Sequence, residues 1–340
     1  MPEAPEAEVW QSMPTTSGLA LTCVEAEPAL SGQGSQQKQG RRHPVRFPLT
    51  PQRLVRGVSR IRRAGRSFQV RATGLRNFRM GAVSAMRLAL TPLGRRAARS
   101  HLKCPPSALA EHGLVVILPG IDGCTTVCDG IVQGLILGGL NAAVEVPDWR
   151  SFRVWSPLHL ATHHRNQKRA KEIADTIRAF QVRNPGKPVH LIGHSAGAGM
   201  ALFILQQLAG TAEVQSVILL AAAVSRHFDI ERLVPETGNG IWNFWSRGDL
   251  PATGLGTMIF GTMDRRHSIA AGSLGFKLPS EPERQAGCSR LHQVGYRYRM
   301  ARVWNFGGHF GCTNTAFVAR YVAPIVLNRV TSAAQLFDRT

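Results

Sequence analysis

The stretch that most constrains this chain is Val189-His190-Leu191-Ile192-Gly193-His194-Ser195-Ala196-Gly197-Ala198-Gly199. Val189 to Ile192 is apolar and strand-sized, and Ala196 to Leu208 reads as a buried helix. With so few residues between them, the chain must turn sharply from strand into helix with Ser195 on the bend. Bulky flanking side chains would collide there, and Gly193 and Gly197 relieve the crowding. The hydroxyl is then presented outward with the positive end of the helix beneath it. G-x-S-x-G alone recurs by chance in Gly- and Ser-rich chains; the flanking strand and helix are what give it weight. A serine hydroxyl is a poor nucleophile at neutral pH, so it needs a base, and the base needs an orienting acid.

The same alternation runs through the chain from residue 111. Leu114 to Leu118 is an apolar strand ending in Pro119-Gly120-Ile121-Asp122-Gly123, and Ala142 to Val146 is a second strand after a Gly-rich helical stretch. Leu160, Ile173, Ile177 and Phe180 predict an amphipathic helix over 160–182, stopped by Asn184-Pro185-Gly186. Further strands are expected at Val217 to Ala222, Ile241 to Trp245 and Tyr298 to Val303, with a closing helix from Thr315 to Leu327. Parallel strands need crossovers of a dozen or more residues, so the expected fold class is α/β: a mostly parallel sheet with helices on both faces. The 18 residues between Ala222 and Ile241 leave little room for a cap, while 250–296 is expected to form a modest lid.

Length and charge set the organisation around that domain. At 340 residues, 44% hydrophobic and 18% charged, the chain is neither wholly disordered nor fibrous. It has no apolar run long enough to span a bilayer, about 18 residues or more. Residues 1–27 hold five Glu and no Lys or Arg, whereas 28–110 hold 18 Lys/Arg and no Asp or Glu. The expected domains are therefore a disordered polar leader at 1–40, an Arg-rich arm at 41–110, disordered or partly helical, an α/β domain at 111–330 and a tail at 331–340. Arg53 to Arg66 suits a basic helix on an anionic surface. Lipid or nucleic-acid binding through residues 41–103, organelle targeting and an overextended reading frame with a start at Met80 or Met86 compete to explain the arm.

The acidic first ten residues do not look like a secretory signal, so a cytoplasmic location is expected, with peripheral membrane contact as an option. Cys23, Cys104, Cys124, Cys128, Cys288 and Cys312 are read as free thiols, and Cys124 and Cys128 lack a matching pair for zinc. No metal and no cofactor are expected.

On its Gly193-His194-Ser195-Ala196-Gly197 elbow, its Pro119-Gly120-Ile121-Asp122-Gly123 loop and the order Ser, Asp, His, the chain resembles the α/β-hydrolase superfamily in its esterase and lipase branch. The resemblance covers residues 112 to 327. It implies an acid after a later strand, for which Asp249, at the end of Asn243-Phe244-Trp245-Ser246-Arg247-Gly248-Asp249, is the first choice over Asp229 and Asp264. It implies a base between the last strand and the last helix, which is His309 in Gly307-Gly308-His309-Phe310-Gly311. His194 should point away from the site and pack. The oxyanion hole would take backbone N–H groups of Ala196 and Ile121, although this loop begins Pro119-Gly120 in place of the usual His-Gly.

The implied activity is cleavage of a carboxylic ester on a small-molecule acyl substrate, by a Ser195-His309-Asp249 triad and an acyl-enzyme. An acyltransferase or thioesterase would use the same residues. A non-catalytic scaffold with a nucleic-acid- or lipid-binding arm is the reading from another class. Trp149, Phe152 and Trp155, with Arg150 and Arg153, belong either to the core or to an interfacial edge. Sequence is silent on oligomeric state.

Overall fold

Leu114-Val115-Val116-Ile117-Leu118 has the uninterrupted, β-branched character of a strand covered on both faces, and it forms β1 (Leu114–Leu118) with every residue buried. β3 (Val189–His194) and β4 (Ser216–Leu220) are buried throughout in the same way. With β2 (Ala143–Glu145), β5 (Ile241–Trp245) and β6 (Leu291–Gly295) they make a six-stranded sheet in the order β2-β1-β3-β4-β5-β6. All five pairings are parallel. The computed structural model describes residues 78–86, 107–121, 123, 126–149, 163–250 and 262–338. They fall within the unit Ser59–Thr340, and none belongs to the separate unit Met1–Val58. The expected leader, the Arg53 to Arg66 helix, Arg150, Phe152, Arg153 and Trp155 lie outside the described residues.

The period of two along each strand divides the interior into two layers. Leu114, Val116 and Leu118 face one side with Val189 and Leu191, under α3 (His163–Arg183) and α4 (Ala196–Leu208). Val115, Ile117 and Ile192 face the other, under α2 (Thr126–Leu137) and the C-terminal helix. Burying each such Val, Leu or Ile contributes about 1.5–3 kcal/mol before the entropy of ordering is subtracted. The chain runs from β1 outward to β2, then back past β1 to β3 and onward. Because crossovers are right-handed, that reversal puts α2 on one face and α3 and α4 on the other. The connections part at the carboxyl ends of β1 and β3, which is where a sheet of this kind generally binds its ligand.

Several elements differ from expectation. Tyr298–Val303 is a 3-10 helix, not a strand: Met300 is its one buried residue, and the Arg297 guanidinium lies 3.9 Å from the Phe337 ring centroid. The edge strand is Leu291–Gly295, whose mixed His, Gln and Gly content hides the apolar pattern that marks a central strand. The stretch expected as a lid therefore helps build the body. It contributes β6, the buried Met263 and the short α5 (Ala271–Leu274), whose Ala271 accepts a hydrogen bond from Asn243 Nδ2 at 3.2 Å. The closing helix is interrupted, running as Thr315–Phe317, a π segment at Val318–Val322, and Ala323–Val326. Pro324 cannot donate within a regular helix, and the wider π turn lets it start the last piece.

Residues 78–86, inside the Arg-rich stretch, form a helix (α1) docked on this body. Asn314 Nδ2 donates to the Gly81 carbonyl at 3.0 Å, and the Thr315 N–H donates to Ser84 Oγ at 3.4 Å. The Phe78 ring centre lies 5.3 Å from that of Trp304.

Candidate active site

Ser195 sits where β3 becomes α4, with φ +55° and ψ −119°, a backbone conformation that non-glycine residues seldom adopt. The elbow is held from several sides. The Ser195 N–H donates to the Leu220 carbonyl at 2.9 Å, and the Ser195 carbonyl accepts from Ala198 N–H at 3.1 Å and Ala223 N–H at 3.0 Å. A side chain on Gly193 would strike Gly197 and Ala198, and one on Gly197 would strike the carbonyl oxygens of Leu118 and Pro119. The two glycines thus let the elbow close against the end of β1, as the sequence argument requires.

The acid arrives from β5. Ser246 Oγ accepts from the Gly248 N–H at 3.2 Å and starts the 3-10 turn Arg247–Asp249, which carries Asp249 inward until its side chain is 2% exposed. Asp229 instead pairs with Arg232 at 2.8 Å, and Asp264 accepts from the Ser225 N–H at 2.9 Å, so both are engaged elsewhere.

The histidine comes from the loop after β6. Asn305 Oδ1 accepts from the Gly307 N–H at 2.9 Å and folds that loop back on itself. His309 Nδ1 and Asp249 Oδ1 are 2.9 Å apart. An ionised carboxylate only accepts, so Nδ1 carries the proton and Nε2 is left as the basic nitrogen.

The His309 main chain is fixed as well. His194 Nε2 donates to the His309 carbonyl at 3.1 Å, and Cys312 Sγ donates to the same oxygen at 3.6 Å. Burial, reinforced by repulsion from His309, pushes His194 down to about 3, so it stays neutral and keeps the N–H that its bond requires. Among the described residues its Nδ1 is buried without a partner. Burial likewise pushes the Cys312 thiol up, with the Asp249 charge adding to the effect, so it remains a protonated donor. His194 is buried, as a packing residue would be, but it does not point away from the site: its ring centre lies 4.9 Å from that of His309, and it ties the residue next to Ser195 to the backbone of His309. Among the described residues Ser195 Oγ makes no hydrogen bond, to His309 or otherwise.

Ala196 is the first residue of a 13-residue helix, so its N–H has no partner within that helix. Ile121 lies in the loop after β1, packed against the same core cluster as Ala196. Sequence reasoning does not anticipate the anchor of that loop: the buried Trp149 indole donates to the Pro119 carbonyl at 2.9 Å. Trp149 thus belongs to the core rather than to an exposed edge. The only hint in the sequence is a tryptophan just past the second strand, which does not reveal its partner. Asp122 lies outside the described residues.

The all-parallel sheet flanked by helices, with a serine on the strand-to-helix elbow and a His-Asp pair carried by loops after later strands, agrees with the α/β fold class expected from the sequence. No family model matches the chain, and no curated protein matches it. Among solved structures it is similar to lipase B of Aspergillus fumigatus, at 11% identity over 64% of this chain and 54% of that one, with a TM-score of 0.40. It is similar to a cutinase-like protein from Cryptococcus sp., at 13% identity over 67% of this chain and 100% of that one, TM-score 0.37. A hyperthermophilic esterase from Pyrobaculum calidifontis is 18% identical over 64% of this chain and 77% of that one, TM-score 0.36. The chain spans about half the length of the Aspergillus lipase.

Proposed function

We propose that this protein is a serine hydrolase that cleaves a carboxylic ester through Ser195, His309 and Asp249. The observation that carries the reading is the 2.9 Å contact between His309 Nδ1 and the buried Asp249 carboxylate, on a loop tied back to the elbow through His194. It leaves Nε2 of His309 as the base.

In the proposed reaction Ser195 Oγ attacks the ester carbonyl while His309 Nε2 takes its proton. The N–H groups of Ala196 and Ile121 stabilise the oxyanion of the tetrahedral intermediate. The carbon–oxygen bond to the leaving alcohol breaks as His309 returns the proton to that oxygen, leaving an acyl-Ser195. Water, deprotonated by His309, then releases the acid and regenerates the serine. Asp249 keeps His309 in the required tautomer and stabilises the imidazolium. The Ser195 to His309 hydrogen bond forms when substrate closes the site, as catalytic bonds often do.

Hydrolysis of p-nitrophenyl esters of graded acyl length, wild type beside Ser195→Ala, tests the proposal. Turnover that disappears in Ser195→Ala supports it. Equal rates in both proteins contradict it.

A further inference from the structure

We propose that α1 is an interfacial anchor that seats the mouth of the active site on an anionic lipid surface. The inference concerns how the protein meets its surroundings and does not require the reaction proposed above.

The helix has two unlike faces. Its inner side is docked through Gly81 and Ser84. Its outer side carries Val83 and Met86, which are 40% and 59% exposed, together with the exposed Arg79; Phe78, at the start of the helix, is 54% exposed. Arg79, Val83 and Met86 stand at i, i+4 and i+7, so they share one stripe, while Phe78, three residues before the docked Gly81, reaches toward Trp304. An outward face that is mainly apolar is costly in water unless something covers it.

A row of aromatic contacts leads from the start of α1 to the segment that carries His309. Phe78 contacts Trp304, whose ring centre is 6.1 Å from that of Phe306, and Phe306 is 66% exposed three residues before His309. On the other side of His309, Phe310 is 41% exposed and meets the imidazole edge-to-face at 5.0 Å. Exposed aromatic rings thus lie beside α1 and on both sides of His309 along the chain.

The sequence on either side of α1 is strongly basic. Residues 59–110, which belong to the same unit as α1, contain 12 Lys/Arg and no Asp or Glu. A partner for this region must therefore be both apolar and anionic. Nucleic acid would satisfy the arginines and leave Phe78, Val83 and Met86 in water, whereas a bilayer with acidic headgroups takes both. Seated in this way, the protein would turn His309 and the elbow toward the lipid.

The test uses the full 340-residue chain carrying Ser195→Ala, so that lipid is not consumed. Co-sedimentation is measured with phosphatidylcholine vesicles, with and without phosphatidylglycerol, beside a version that also carries Phe78→Ser, Val83→Ser and Met86→Ser. The parent is expected to bind the acidic vesicles about tenfold or more tighter than the neutral ones, and the triple-serine version to lose about tenfold of that binding. Val83 and Met86 are exposed, whereas Phe78 also covers Trp304, so the urea midpoint is followed in parallel. If it falls, Phe306→Ser on its separate segment carries the test and must weaken vesicle binding. Equal binding by parent and serine variants, no preference for acidic vesicles, or tight binding to duplex DNA without binding to vesicles would overturn the proposal. Each outcome is read on a catalytically silent chain and leaves the triad reading untouched.

Discussion

Individual side chains carry the chemistry, and their partners say what each replacement should do. Asp249→Asn removes the acceptor that selects the His309 tautomer, so kcat should fall by about 10⁴ with the fold intact. Steady-state kinetics beside a urea titration separates the two effects. His194 acts through another residue. Its Nε2–H bond to the His309 carbonyl makes it a positioning residue, and His194→Leu should lower kcat about 10- to 100-fold with little change in KM. His194→Gln retains a donor and should keep most of the rate. Equal losses in both variants would reduce His194 to packing alone. Ser195, Asp249 and His309 were nameable from the sequence because the G-x-S-x-G motif and the chain order implied by the resemblance point to them, with Asp249 preferred over Asp229 and Asp264; the structure brings His309 and Asp249 within 2.9 Å. The sequence did not reveal that Trp149, His194 and Cys312 hold backbone carbonyls, since such bonds join residues as far as 115 apart and depend on the finished fold.

At the scale of elements, the elbow depends on how closely α4 approaches β1. Gly197→Ala would push a methyl into the Leu118 and Pro119 carbonyls. It should cost about 1–3 kcal/mol of stability. It should reduce activity further, because the same movement separates Ala196 from the loop that carries Ile121. Unfolding by urea, with kcat/KM measured on the folded fraction, checks both parts, and wild-type values for both would refute the close approach. Docking of α1 makes a second claim at this scale. A chain beginning at residue 87 loses the acceptor of Asn314 Nδ2 and the cover on Trp304, whereas one beginning at residue 78 keeps both. The shorter chain should be less stable by about 1–3 kcal/mol, as expected when a buried donor is left unsatisfied. The central strands were legible because they are continuous apolar runs. β6 was not, since an edge strand needs little apolar content, and Tyr298–Val303 has a strand-like composition but a helical backbone.

For the whole molecule, acid should destabilise the fold through two buried histidines. Burial pushes His190 down to about 4 and His194 to about 3, against an ordinary value of 6.5. Below pH 6.5 the unfolded chain takes up protons that the folded chain refuses. Stability is therefore full above about pH 6.5 and falls by about 1.4 kcal/mol per pH unit per histidine as the folded values are approached. Urea midpoints between pH 7.5 and 5 should show this slope, and His190→Gln with His194→Gln should remove most of it. A slope unchanged by the double replacement would place the sensitivity elsewhere. The central claim is that Ser195 is the activated nucleophile of this assembly. Its most direct test is intact-mass measurement after treatment with an organofluorophosphonate, followed by peptide mapping. The account predicts a single adduct on the peptide containing Ser195, formed much more slowly in Asp249→Asn; no adduct, or one that persists in Ser195→Ala, would contradict it.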